Sequence, residues 1–312
     1  MSVRAVGAAL LIMALLLPTS LLAGPALVFD PNNGKVYYQE DMDALWHPAS
    51  LTKMLTAYLT FEALRDGKLT LKTRIAQSKN SISQAPSKIG LPVGATMSVD
   101  VALRALLVKS ANDVAVMLAE GVSGSEAKFV KRMNATAKKL GMLRSRFVNP
   151  NGLPDDRQIT TARDMGYLAR ALLKDFPEYA YFFAVPKLKI GKRVMRNYNK
   201  LLRTYDGVDG MKTGFVCSSG YNIVVSAKRG GRKLVVVVLG GRSGGERNKR
   251  AEELLDHGFR RLSWRSLFGK NIDNMTIQAS LTEGAPDLRP TVCNRKRRSS
   301  KKKRSARKRK KR

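Results

Sequence analysis

The stretch from Val208 to Leu239 most constrains how this chain can fold. Val208–Val216 leads through Ser218-Ser219-Gly220 into Tyr221-Asn222-Ile223-Val224-Val225-Ser226-Ala227, and Arg229-Gly230-Gly231-Arg232 turns the chain back into Leu234-Val235-Val236-Val237-Val238-Leu239. Such β-branched runs bounded by turn residues read as strands, and near-continuous apolarity places them at the centre of a sheet covered on both faces. A second hairpin opens the chain, with Ala26–Phe29 and Lys35–Tyr38 joined by Asp30-Pro31-Asn32-Asn33-Gly34. Between the two strand regions the spacing predicts helices. One runs from Ser50 to about Arg65 and stops at Asp66-Gly67. Others cover Val99–Leu107, Val114–Glu120, Ser125–Leu140 before Gly141, and Ala162–Leu173 behind a Thr160 or Thr161 cap. Residues 68–100 read as loops and short strands. An amphipathic helix over Arg247–Phe259, apolar at Ala251, Leu254 and Leu255, should pack on the sheet. Strands at both ends with helices between them imply an α+β fold: an antiparallel sheet flanked by helices with a mostly helical subdomain.

The ends differ from this body. Residues 1–23 read as a signal peptide, with Arg4 as the positive start, Ala8–Leu17 as the apolar run and small residues up to Ala23. The folded domain is then expected over 24–264 and a low-structure linker over 265–294. The run 295–312, RKRRSSKKKRSARKRKKR, has no acid and almost nothing apolar, so it reads as a disordered polybasic tail. The whole chain carries 57 Lys+Arg against 24 Asp+Glu, a formal charge of +33, which favours anionic partners. For an exported protein that means an anionic envelope polymer or lipid surface rather than nucleic acid. Two histidines, His47 and His257, and two cysteines, Cys217 and Cys293, without a C-x-x-C pair, argue against a metal site or a histidine-based triad. The cysteines could pair outside the cytoplasm, but one lies in the domain and the other in the expected linker, so Cys217 reads as a packed thiol. Trp46, Tyr58, Phe61 and Tyr181-Phe182-Phe183 read as core.

Chemistry is concentrated in three short segments. At the start of the first long helix, Ser50 and Lys53 stand one turn apart on one face, a nucleophile beside a base. Lysine can take the serine proton only if burial or a second cation strips its own. The same S-x-x-K spacing recurs at Ser125, Ser299, Ser300 and Ser305, where a solvated surface or tail is the simpler reading, so the pair alone is weak. Further on come Ser110 with Asn112, and Lys212-Thr213-Gly214 on the first strand of the buried hairpin. This order of S-x-x-K, S-x-N and K-T-G is far more specific than any member. By residue type, Ser110 can relay the proton to a leaving amine, and Asn112 can hold the lysine or substrate backbone. Lys212 can keep Lys53 neutral and, with Thr213, bind a carboxylate. Gly214 leaves the strand open to a peptide, and the backbone amides of Ser50 and Phe215 can meet an oxyanion. The reaction needs no cofactor.

From about Ala26 to Phe259 the chain resembles the penicillin-binding serine D-Ala-D-Ala carboxypeptidases of low molecular mass. The likeness rests on Pro48-Ala49-Ser50-Leu51-Thr52-Lys53-Met54, Ser110-Ala111-Asn112-Asp113, Asn151-Gly152-Leu153, Thr161-Ala162-Arg163-Asp164-Met165 and Val208-Asp209-Gly210-Met211-Lys212-Thr213-Gly214. The resemblance implies a β-lactamase/transpeptidase-like fold, removal of the terminal D-alanine from peptidoglycan stem peptides, and covalent inhibition by β-lactams at Ser50. Many relatives carry a β-rich second domain and a membrane-anchoring helix, for which the residues after 264 are too few, and many have His at the position of Asn151. A class A β-lactamase would need a Glu-x-x-Leu-Asn segment between Asn112 and Lys212, which is absent. A DD-endopeptidase cutting crosslinks would use the same residues. An exported cationic envelope-binding protein is the non-enzymatic alternative.

Overall fold

The computed structural model describes residues 24–261, 270–278 and 284–294. In chain order it runs through β1 (Ala26–Phe29), β2 (Val36–Glu40), a 3-10 turn (Ala49–Leu51), α1 (Thr52–Arg65), β3 (Arg74–Ala76), α2 (Lys79–Ser83), β4 (Thr96–Ser98) and α3 (Val99–Arg104). A π turn (Ala105–Lys109) then precedes α4 (Asn112–Ser123), α5 (Glu126–Lys139), α6 (Ala162–Asp175), α7 (Tyr181–Ala184), β5 (Lys187–Ile190), β6 (Arg193–Arg196) and α8 (Leu201–Thr204). Last come β7 (Val208–Val216), β8 (Gly220–Arg229), β9 (Arg232–Gly241), α9 (Gly244–Arg261) and α10 (Arg289–Val292).

The main sheet has the order β2-β1-β9-β8-β7, antiparallel throughout, so the N-terminal hairpin closes onto the last strand and β7 is left at an edge. Both faces are covered, which is why the strands are apolar at consecutive positions rather than alternating ones. Ala26, Val28, Ile223, Val225, Val236 and Val238 face α9, where they meet Ala251, Leu254 and Leu255. Leu27, Phe29, Val224, Val235, Val237 and Leu239 face the helical side and join its core. At the centre of that core α1 is buried on every side from Thr52 to Phe61, so it lacks the one-sided apolar stripe of a surface helix. α6 follows its expected bounds closely because the Thr161 side chain accepts from the Asp164 amide, capping it. The α+β architecture, the central hairpin and the helix packed on the sheet agree with the sequence, as does the aromatic core, apart from Tyr181, which is exposed.

Four expectations need correction. Ser50 does not open α1; it sits in the 3-10 turn before it. Residues 68–100 contain α2, nucleated by a Ser78/Ser81 capping box, and the hairpin β5–β6 was not foreseen either. The segment after α9 is poor in regular structure yet is no linker. The amides of Val36 and Ile272 donate to Lys270 O and Gly34 O, Ile272 is fully buried, and the buried Arg163 guanidinium donates to Ile272 O and Met275 O while paired with Asp43. These backbone acceptors satisfy a charge that burial would otherwise penalise, and the body therefore extends beyond 264. Finally, Cys217 is not a free thiol. It forms a disulfide with Cys293, across 76 positions, and Leu288 N donates to Ser218 O beside it. The expected signal peptide (1–23) and polybasic tail (295–312) lie outside the described residues.

Candidate active site

Three segments meet along the seam between the sheet and the helical core: the turn before α1, the joint between α3 and α4, and the edge strand β7. The turn is tightly held. Ala49 has a positive φ of 47°, uncommon for a residue with a Cβ and expected where a functional site imposes its geometry. Thr52 Oγ1 donates to Ala49 O at 2.8 Å. Gly152 lies directly over this turn, where an added Cβ would come within 1.9 Å of Ala49 O, so no other residue fits there. From the other side β7 presses in at Gly214, whose hypothetical Cβ would stand 3.1 Å from the Ser50 amide nitrogen. Glycine at these two positions is what lets loop and strand backbone reach the serine.

Lys53, the second residue of α1, is completely buried. Its Nζ lies 3.0 Å from Ser50 Oγ and 2.7 Å from Asn112 Oδ1, and it also donates to Asn151 O. Burial holds its pKa well below the usual lysine value, the nearby Lys212 charge pushes the same way, and Asp113 opposes them. The positive end of α1 further disfavours an ammonium there. A neutral amine has two N–H bonds, which match the Asn112 and Asn151 oxygens, and one lone pair, which is left facing the serine hydroxyl. The neighbours thus orient the base as well as neutralise it.

The second serine arrives by a different device. The π turn Ala105–Lys109 widens the end of α3 and leaves Ser110 in the left-handed conformation, φ 57° and ψ 40°, before α4 starts at Asn112. Lys212 Nζ, fully buried on β7, donates to Ser110 Oγ at 3.0 Å and to Thr213 O at 3.0 Å. Burial and the Arg247 charge lower its pKa to about 7. Asn112 also donates from Nδ2 to Ala85 O, and the buried Asp113 carboxylate accepts from the Ile89, Gly90 and Val114 amides. The start of α4 therefore clamps the loop at 85–90 that borders the site.

All three segments open onto one cleft of about 490 Å³ whose lining includes Ser50, Ser110, Asn112, Thr213, Gly214 and Phe215. Phe215 turns its ring outward, 42% exposed, to stack on Tyr221 at 4.2 Å. Lys53 and Lys212 lie beneath the lining. A nucleophile, a neutral base, a second hydroxyl and a cation in this arrangement can perform acyl transfer. Every residue expected from the sequence is here, although Asn112 spends its carbonyl oxygen on the lysine.

Sequence reasoning missed three contributors. The Asn151 carbonyl holds Lys53, and a backbone atom leaves no signature in residue type. Asp113 acts as a buried clamp, for which its place beside Asn112 was the only signal. Arg247 was read merely as a helix start, yet it lines the cleft with its guanidinium buried and its pKa lowered to about 10 by that burial, so it stays charged at neutral pH. No helix among the described residues is long and apolar enough to cross a membrane.

Known proteins share this arrangement's frame. The chain is 34% identical over 254 residues to the D-alanyl-D-alanine carboxypeptidase DacF of Bacillus subtilis, covering 80% of this chain and 65% of that one. It is 36% identical to DacC of Escherichia coli, covering 75% and 60%. It thus spans about 60–65% of the length of these relatives. Among solved structures, penicillin binding protein 5 from Haemophilus influenzae superposes with a TM-score of 0.74 at 32% identity, covering 76% of this chain and 71% of that one. Penicillin-binding protein D2 from Listeria monocytogenes, solved with cefotaxime bound, gives 0.69 at 33% identity, covering 76% and 97%. Residues 15–243 match the D-alanyl-D-alanine carboxypeptidase family as a unit. With the sheet order, the serine–lysine seam and this match in agreement, the chain belongs to the D-alanyl-D-alanine carboxypeptidase family.

Proposed function

We propose that this protein is a serine D-alanyl-D-alanine carboxypeptidase that removes the terminal D-alanine of peptidoglycan stem peptides through an acyl-enzyme on Ser50. The observation that carries the reading is the buried Lys53 amine, 3.0 Å from Ser50 Oγ with its own hydrogens directed to Asn112 and Asn151. In the proposed reaction the peptide lies along the edge strand β7, its terminal carboxylate toward Thr213 and the Arg247 and Lys212 charges. Lys53 takes the Ser50 proton as Oγ attacks the carbonyl, and the Ser50 and Phe215 amides receive the oxyanion. Ser110, fixed by Lys212, gives its proton to the departing amine and takes in exchange the proton that Lys53 received, which returns Lys53 to its neutral form. Water then attacks the ester, with Lys53 again as base. The cleft lining contains no carboxylate, so deacylation relies on that same lysine and β-lactam acyl-enzymes should be long-lived.

Export under the direction of residues 1–23, and attachment of the tail at 295–312 to an anionic envelope polymer or lipid, complete the proposal. The charge of +33 supports the second point, and its signature is binding that weakens with salt. The decisive experiment is labelling with fluorescent penicillin alongside D-alanine release from a D-Ala-D-Ala-terminated peptide. Wild type is expected to do both and Ser50→Ala neither. Labelling that survives in Ser50→Ala, or none in folded wild type, overturns the assignment. Faster cleavage of crosslinked dimers than release of D-alanine would make it an endopeptidase with the same residues.

A further inference from the structure

The hairpin β5–β6 is a two-stranded ribbon on the helical side of the molecule. Its register sets Leu188 against Met195 on one face, where both join the core. On the other face Lys187 stands against Arg196 and Lys189 against Val194, and all four are exposed. Lys192 and Arg193 add two exposed cations at the tip. The inner face explains why the ribbon docks. It does not explain the outer face, where cations directly opposite each other repel and cost stability.

Nothing in the fold offsets that repulsion. No acid occurs between Glu178 and Asp206 in the sequence, and these five cations make no ion pair among the described residues. Elsewhere the body matches its surface cations with acids, Arg170 with Asp273, Lys233 with Asp209 and Arg250 with Glu40. The charged face also leads somewhere. Just beyond β6 come Tyr198 and Lys200, which line the cleft, and Lys109 Nζ donates to the Tyr198 hydroxyl at 3.3 Å. Both strands of the ribbon pack on the π turn Ala105–Lys109, which ends at Ser110. The cationic face is therefore continuous with the rim of the active site and is carried by the element that presents its second serine.

A single peptide bound in the cleft leaves this face unused. A glycan strand differs, because each of its stem peptides ends in a carboxylate before and after cleavage, which makes the strand a polyanion whose neighbouring stems lie beside the one being cut. We infer that the outer face of β5–β6 is an exosite for the polymeric substrate, where Lys187, Lys189 and Arg196 hold carboxylates of stem peptides next to the one in the cleft. This rests on the proposed carboxypeptidase reading and makes the uncrosslinked strand, rather than a free peptide, the preferred substrate. A bilayer fits the face less well, since Val194 is the one apolar side chain it offers. The three cations position the strand and touch no reacting atom.

The test measures D-alanine release from soluble uncrosslinked strands and from the free stem peptide at equal stem concentration. The readout is the ratio of the two kcat/KM values, in which the fraction of folded enzyme cancels. Wild type should favour strands about tenfold, what three exposed ion contacts supply together, and the preference should shrink as salt is raised. A full-length triple variant, Lys187→Gln with Lys189→Gln and Arg196→Gln, should bring the ratio toward one while turnover of the free peptide stays unchanged. A matched variant on α5, Lys131→Gln with Lys138→Gln and Lys139→Gln, loses the same charge away from the cleft lining and should keep the wild-type ratio. A wild-type ratio near one, a preference that survives in the hairpin variant, or an equal loss in the α5 variant overturns the exosite. So does a hairpin variant that loses only its retention on anionic lipid vesicles, which would make the face a membrane contact. If wild type neither takes up penicillin nor releases D-alanine from the free peptide, the carboxypeptidase reading itself has failed.

Discussion

Lys53 and Lys212 face each other across the seam, one from the helical side and one from the sheet. Both are fully buried, and each lies 3.0 Å from a serine oxygen, Ser50 for one and Ser110 for the other. Their neighbours make them different reagents. Lys53 is desolvated by burial near a second lysine, at the positive end of α1, and two fixed oxygens hold its hydrogens, so its pKa is driven well below the ordinary lysine value and it is suited to accept a proton. Lys212 feels a different cation, Arg247, and stops near pKa 7, so a large share of it keeps its charge. Similar burial thus yields a proton acceptor on one side and a tunable cation on the other; the secondary neighbours decide which.

The largest effect that could break this contrast comes from truncating each lysine. Lys53→Ala should lower penicillin acylation by about a thousandfold or more, since it removes the base outright, and Lys212→Ala by about a hundredfold, within the range for a positioning and proton-transfer group. Equal losses in stopped-flow acylation would mean the two are not distinct in role. Next in size is the pH profile. Loss of the Lys53 proton sets the acid limb, since its pKa is lowered, so the alkaline fall in kcat/KM should belong to Lys212 and lie near pH 7. A profile flat from pH 6 to 9 would show that the Lys212 charge is dispensable.

Arg247→Gln sharpens the point. Because the arginine charge helps lower Lys212, its loss should move that alkaline limb upward even as binding of the terminal carboxylate weakens. A limb that stays put assigns the depression to burial alone. The smallest effect is on stability. Unfolded Lys212 binds its proton up to about 10.5 and folded Lys212 only up to about 7, so between these values the unfolded chain holds more protons. Its contribution to stability is therefore full above about 10.5 and is lost as pH falls toward 7. Lys212→Met should flatten that slope and raise the melting temperature at pH 7, because it removes a desolvated charge that no carboxylate offsets. Thermal melts of both proteins from pH 6 to 10 would check it.

Much of the frame was legible beforehand. β7 to β9, the N-terminal hairpin, α6 with its Thr161 cap and the apolar face of α9 are all written in neighbours two to four positions apart, and the ordered serine, lysine and glycine motifs singled out Ser50, Lys53, Ser110, Asn112 and Lys212–Phe215. Ser50 missed its helix by a turn because Ala49 adopts a conformation that residue type does not advertise. Residues 270–278 carried no periodicity because they bury one side chain, Ile272, and otherwise work through backbone acceptors.

The linear order of residues determined which elements form and which side chains carry chemistry, since strand and helix periods and capping are local. Only the folded arrangement decided that the Lys53 pKa is driven down, that Asn151 aims its lone pair, that Arg247 joins the cleft and that Cys293 returns to Cys217. Desolvation, Coulomb fields and disulfide closure depend on distances through space, and those distances join positions 59, 98 and 76 apart in the chain.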